Sequence, residues 1–72
     1  MRFFYFMTLT INGELKENIM ATSLKELLEE LGIISGRVAV EVNTRVIKKA
    51  DYESFRINDG DIVEIVSFVG GG

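Results

Sequence analysis

The stretch from Ser23 to Gly32 restricts this chain more than any other, because it is the one place where a helix is written plainly. Ser23-Leu24-Lys25-Glu26 fits a capping box, in which a serine and a glutamate satisfy free amides at a helix start. Leu24, Leu27, Leu28 and Leu31 recur at i, i+3, i+4 and i+7 and form a single apolar stripe, a core-packing pattern, with Lys25, Glu26, Glu29 and Glu30 off it. Gly32 stands where a helix end takes a left-handed residue. Strand patterns flank this helix on both sides. One short helix can cover only one face of a sheet, so the other face has to meet water or a partner. A chain of 72 residues makes a single domain. The expected fold is α+β: a mixed sheet of four to five strands with one main helix packed on one face.

The strands read as follows. Met7-Thr8-Leu9-Thr10-Ile11 alternates with period two and places Met7, Leu9 and Ile11 on one face. Asn12-Gly13 is the strongest two-residue signal for a type I′ hairpin turn. The return strand runs from Glu14 to about Ile19, with Leu15 and Ile19 expected to share a face. Arg37 to Asn43 alternates again with Val38, Val40 and Val42 inward, and Asn43-Thr44 turns into a short strand, Arg45-Val46-Ile47. Lys48 and Lys49 read as a solvated edge, where charge also blunts strand-to-strand aggregation. Ala50 to Ile57 is a connector with room for one helical turn, from which Tyr52 and Phe55 plug the end of the core. Asn58-Asp59-Gly60-Asp61 is a turn, and the last strand begins at Ile62.

Composition removes several function classes. The chain has no cysteine and no histidine, hence no thiolate nucleophile, no sulfur metal ligand and no imidazole base. Its net charge of −3 argues against nucleic acid, whose affinity comes largely from phosphate contacts with Lys and Arg. The same charge is consistent with docking into a basic groove on another protein. Asp59 and Asp61 are near neighbours in a glycine turn, where carboxylates form turns far more often than acid–base dyads. Met1-Arg2-Phe3-Phe4-Tyr5-Phe6 carries one charge and a short apolar run. It is too short to span a bilayer and lacks a small-residue cleavage site, so neither anchor nor signal peptide is expected and the cytoplasm is the expected compartment. Two readings stand for it: an extension ahead of a start at Met7, or extra length on the first strand.

The end of the chain is where chemistry can sit. Glu64-Ile65-Val66-Ser67-Phe68-Val69 passes without a polar spacer into Gly70-Gly71-Gly72. Three residues without side chains reach roughly 10 Å, and they fit a narrow slot. At their end an α-carboxylate with an ordinary pKa of about 3.5 is ionised at neutral pH, an oxygen nucleophile awaiting activation. The plain alternative is a frayed terminus, which glycine also suits. Parity in the last strand puts Val63, Ile65 and Ser67 under the helix and Glu64, Val66 and Phe68 on the open face. A valine and a phenylalanine beside the tail read either as surface scatter or as a docking patch.

Taken together, the hairpin at Asn12-Gly13, the capped leucine helix, Val40-Glu41-Val42-Asn43, Asp59-Gly60-Asp61, Val63-Glu64-Ile65-Val66 and a terminal Gly71-Gly72 resemble the ThiS family of sulfur carriers. The resemblance covers about Met7 to Gly72; Met1 to Phe6 departs from the family pattern, whose first strand starts near Met7. It implies the β-grasp (ubiquitin-like) fold and a role in thiamin biosynthesis as a carrier, not an enzyme. In that role a ThiF-type adenylyltransferase binds ATP and adenylates the Gly72 carboxylate. Sulfur from a cysteine desulfurase pathway converts it to a thiocarboxylate, and a ThiG-type thiazole synthase receives the sulfur. Gly72 would bear the reacting carbon, Gly70 and Gly71 would supply slim reach, and Phe68, Val66 and Glu64 would form the neighbouring docking surface. The chain itself lacks a phosphate-binding loop motif and would hold no cofactor, with ATP and sulfur handled by partners.

Three classes of rival remain at this level: sister sulfur carriers, a protein modifier and an adaptor. A MoaD-like carrier for molybdopterin has the same fold and tail, but such chains tend to be longer and often carry a proline pair before the glycines, and this chain has no proline. Carriers for tRNA thiolation or cysteine synthesis, and a ubiquitin-like protein modifier, share activation by adenylation. A β-grasp adaptor with an inert tail would not need Gly72 at all.

Overall fold

The computed structural model describes residues 6–68. The elements in chain order are β1 (Met7–Ile11), β2 (Glu14–Ile19), α1 (Leu24–Glu30), β3 (Val38–Val42), β4 (Arg45–Ile47) and β5 (Ile62–Ser67), with single 3-10 turns at Ser35–Arg37 and Lys49–Asp51. The five strands form one mixed sheet in the order β2-β1-β5-β3-β4. β5 lies at its centre, parallel to β1 and antiparallel to β3, while β1–β2 and β3–β4 are antiparallel hairpins. α1 packs on one face. The last strand of the sequence is thus the middle strand of the sheet, held from both sides.

Local chemistry builds the helix as expected. Ser23 caps it: its Oγ accepts from the Glu26 amide at 3.1 Å, and Glu26 Oε1 accepts from the Ser23 amide at 3.1 Å. The connector completes the cap, since the amides of Leu24 and Lys25 donate to the carbonyls of Phe55 and Tyr52, both at 2.9 Å. At the other end Gly32 is left-handed (φ +73°). There Ile33 N–H reaches Leu28 C=O and Gly32 N–H reaches Glu29 C=O, a Schellman motif that satisfies two of the orphan carbonyls. Leu24, Leu27 and Leu28 have no exposed surface, and Leu31 caps the helix half-buried.

The core is a single layer between α1 and the sheet, built from Leu9, Ile11, Val38, Val40, Val42, Ile47, Val63 and Ile65 facing the helix. Tyr52 is buried and Phe55 partly so, closing one end of that layer as the connector reading required. Burial pushes the Tyr52 phenol above its ordinary pKa of 10.0, with a hydrogen bond to the Val40 backbone pulling the other way. Both hairpin turns are left-handed at two successive residues, Asn12 and Gly13 (φ +51° and +81°) and Asn43 and Thr44 (φ +52° and +72°). That is the backbone of a type I′ turn, which glycine and asparagine accept readily and a β-branched threonine does not.

Four expectations need correction. Leu15 and Ile19 do not share a face: Leu15 is 67% exposed and Ile19 5%. The pairing runs Leu9 with Lys16 but Met7 with Ile19, so one extra residue enters β2 near Asn18, which is left-handed at φ +61°. Such a bulge flips every side chain beyond it to the other face, and it brings Ile19 into the core. β3 starts at Val38 and not at Arg37, which closes the preceding 3-10 turn. Ser67 has the parity of Ile65 and lies opposite Val38, yet it is exposed. Lys49 is exposed but not merely solvated, as the contacts below show. β1 begins at Met7 with Phe6 exposed beside it, while Met1 to Tyr5 lie outside the described residues.

Candidate functional site

The candidate site is the exit of β5. Backbone bonds tie β5 to β1 at regular steps: Thr10 N–H to Asp61 C=O (3.0 Å) and Asn12 N–H to Val63 C=O (2.9 Å). The next rung cannot be backbone, because the chain turns away at Gly13. The Asn12 side chain supplies it instead. Its Oδ1 accepts from Ile65 N–H at 2.6 Å and its Nδ2 donates to Ile65 C=O at 3.0 Å. On the other side β3 pairs with β5 from Val42–Val63 to Val38–Ser67, and Phe68 N–H adds one bond more to Arg37 C=O at 2.9 Å. β5 is clamped on two sides as far as Ile65 and on one side to Phe68.

The start of β5 is fixed with equal care. Asn43 N–H donates to Ile62 C=O (2.7 Å), and Asn43 Oδ1 accepts from Ile62 N–H (2.9 Å). Asp61, almost buried, accepts from Asn43 Nδ2 (2.9 Å) and from Asn58 N–H (2.8 Å), while Asp59 accepts from Thr8 N–H at 2.7 Å. The two aspartates are spent on turn geometry, which is the turn-former reading of that segment.

Of the residues singled out from the sequence, the structure places Glu64, Val66 and Phe68 together on the exposed side of β5. Val66 is 61% and Phe68 57% exposed. Glu64 lies directly opposite Glu41, and Val66 opposite Ala39. A dip of about 80 Å³ opens between them, lined by Ala39, Val40, Glu41, Val46, Glu64 and Val66. It is far below the few hundred Å³ of a small-molecule site and suits a single protruding side chain. Gly70, Gly71 and Gly72 lie outside the described residues.

A larger hollow of about 450 Å³ sits beside the start of α1, lined by Thr22, Lys25, Glu26, Glu29, Glu53 and Arg56 among others. Size alone does not make it the site. It is an open, polar recess, its Glu26 is already occupied as the helix cap, and Lys25 faces Glu53 across it at 4.0 Å. The Thr22 hydroxyl at 2.6 Å, followed by the Thr22 and Ser23 amides, holds the Glu26 carboxyl below its ordinary value of 4.5. Among the described residues no cluster of His, Cys, Asp or Glu is placed to hold a metal ion, and no helix is long and apolar enough to cross a membrane.

Sequence reasoning missed three contributors. As a turn former Asn12 is interchangeable with aspartate in the sequence; what sets it apart is its amide, which alone offers a donor and an acceptor together. Lys49 carries no local signal beyond that of an edge charge, and its contacts lie with Gly36 and Phe68. Glu41 is legible in the sequence only as part of Val40-Glu41-Val42-Asn43, and its place opposite Glu64 depends on strand pairing.

The chain matches the ThiS family over residues 9–72. It is 46% identical to a thiazole synthase of Paramagnetospirillum magneticum across 92% of its own length, but it spans only 20% of that protein. It is 36% identical to the sulfur carrier protein ThiS of Thermus thermophilus, covering 86% of this chain and 95% of that one. Its structure superposes on a crystal structure of the thiamine biosynthesis protein ThiS from Geobacter metallireducens with a TM-score of 0.79, at 35% identity over 92% of this chain and all of the other. With the family match covering nearly the whole sequence and a ThiS structure superposing on the same sheet and helix, this chain belongs to the ThiS family and has the β-grasp fold.

Proposed function

We propose that the chain is a sulfur carrier of thiamin biosynthesis whose reacting atom is the carboxyl carbon of Gly72. The observation that carries this reading is the family match that runs through β5 to residue 72. The double clamp on β5 agrees with it, since a carrier must present its end from a rigid body. The chain serves as a co-substrate and not as a catalyst, with ATP and sulfur handled by partner enzymes.

In this scheme a ThiF-type adenylyltransferase holds ATP. A Gly72 carboxylate oxygen attacks the α-phosphorus, pyrophosphate leaves, and an acyl-adenylate results. A carboxylate resists substitution at carbon, whereas AMP is a good leaving group. Persulfide sulfur delivered through a cysteine desulfurase pathway displaces AMP to give an acyl disulfide, and a partner thiol then cleaves its S–S bond, releasing the thiocarboxylate and itself ending as a disulfide. A ThiG-type thiazole synthase then consumes that sulfur, a pairing supported by thiazole synthases that match this chain over about a fifth of their own length. Gly70 and Gly71 give a thin reach, and Glu64, Val66 and Phe68 form the docking surface beside it.

The test is direct. Incubation with the adenylyltransferase, ATP and a sulfur donor should exchange one carboxyl oxygen of Gly72 for sulfur, read by intact-mass spectrometry with fragmentation at the C-terminus. An unchanged mass under conditions that convert another ThiS protein would refute the reading.

A further inference from the structure

Three segments distant in sequence meet at one ammonium group. Lys49 opens the 3-10 turn after β4. Its Nζ donates to Gly36 C=O, in the turn before β3, at 2.9 Å, and it stands 5.4 Å from the centroid of the Phe68 ring, at the exit of β5. The Asn12 clamp ends at Ile65, and among the described residues one backbone bond, from Phe68 N–H to Arg37 C=O, holds the chain beyond Ser67. An exposed ring on one backbone anchor would otherwise sample several rotamers.

We propose that Lys49 is a positioning residue for the exit of β5: anchored to Gly36, it fixes the Phe68 ring and so holds Phe68, the residue just before the tail, in one orientation. The inference rests on the carrier reading above. The ammonium faces the negative ring surface from a point set by the Gly36 carbonyl, which makes the contact directional. Fixing the exit raises the fraction of free chains already aligned for the partner's slot, and apparent affinity scales with that fraction. The chemistry takes place beyond Phe68, at Gly72, after docking is complete. Losing Lys49 therefore raises KM for the carrier and leaves kcat unchanged. A cation over an exposed ring corresponds to a change of about two- to fivefold.

The experiment is steady-state adenylation of the full chain by the adenylyltransferase, followed by pyrophosphate release, with Lys49→Met, Lys49→Arg, Phe68→Leu and the Lys49→Met/Phe68→Leu double variant. Lys49→Met should raise KM about two- to fivefold at constant kcat, with a circular dichroism melt near that of the parent. Lys49→Arg, which keeps the cation, should restore KM. In the Phe68→Leu background Lys49→Met should have no further effect, because the two residues then act as one unit. Equal KM values for the parent and Lys49→Met, a fall in kcat, or the same loss in both backgrounds would overturn the proposal; the last would mean that Lys49 touches the partner directly. NMR of the free chain gives a readout independent of any partner. The Lys49 ε-methylene protons should be shifted upfield by the ring and lose that shift in Phe68→Leu, and unshifted resonances in the parent would also overturn it. If the parent is not adenylated at all, the carrier reading fails instead, and the NMR arm still decides the clamp.

Discussion

Replacing Asn12 by aspartate changes one atom and isolates the clamp on β5. Aspartate keeps the volume of the side chain, keeps the Asp-Gly turn signal, and keeps an oxygen to accept from Ile65 N–H at 2.6 Å. It removes the Nδ2 donor to Ile65 C=O at 3.0 Å and sets an oxygen against that carbonyl in a half-buried place. A carbonyl stripped of its partner costs about 1–3 kcal/mol, so a loss of about 2 kcal/mol is expected. For a domain this small each kcal/mol moves Tm by about 4–8 °C, which gives a drop of about 8–16 °C. Circular dichroism melts at neutral pH read it. The facing carbonyl raises the pKa of the introduced carboxyl, so the deficit relative to the parent is full above that pKa. It shrinks as pH falls through it, because the protonated group can donate again. An Asn12→Asp variant melting within about 3 °C of the parent at neutral pH would show that the clamp does not hold β5.

Three further outcomes follow from the same structure. The Glu26 carboxyl is held below 4.5 first by the Thr22 hydroxyl, so its contribution to stability is complete above that value and is lost as pH falls through the depressed one. Glu26→Gln should flatten this acid part of the Tm–pH curve, and an unchanged slope would contradict the capping account. Leu15→Lys should shift stability by less than about 0.5 kcal/mol, while Ile19→Ala should cost about 2–4 kcal/mol; similar urea midpoints for the two would remove the bulge at Asn18. Thr44→Gly should stabilise by about 0.5–1 kcal/mol, since a β-branched residue at φ +72° is strained and glycine is not, and a lower melting temperature would refute it.

What could be read from the sequence was whatever a residue settles with neighbours up to five positions away. Ser23 and Glu26 cap each other, Gly32 ends the helix, Asn12-Gly13 turns, and period-two alternation sends Val63 and Ile65 inward and Glu64 and Val66 outward. What escaped depends on partners far along the chain. The bulge at Asn18 answers to the register of β1 and reverses the face of Ile19. Asn12 completes a ladder to Ile65, 53 residues away, and Lys49 reaches Gly36 and Phe68. The strand order that puts β5 in the middle is set by which apolar faces bury together under α1, and no local pattern encodes that. The sequence determined the parts and the glycines at their end. Only the tertiary structure decided how firmly the strand before those glycines is held, because its clamps are bonds between segments that meet only once the sheet has formed.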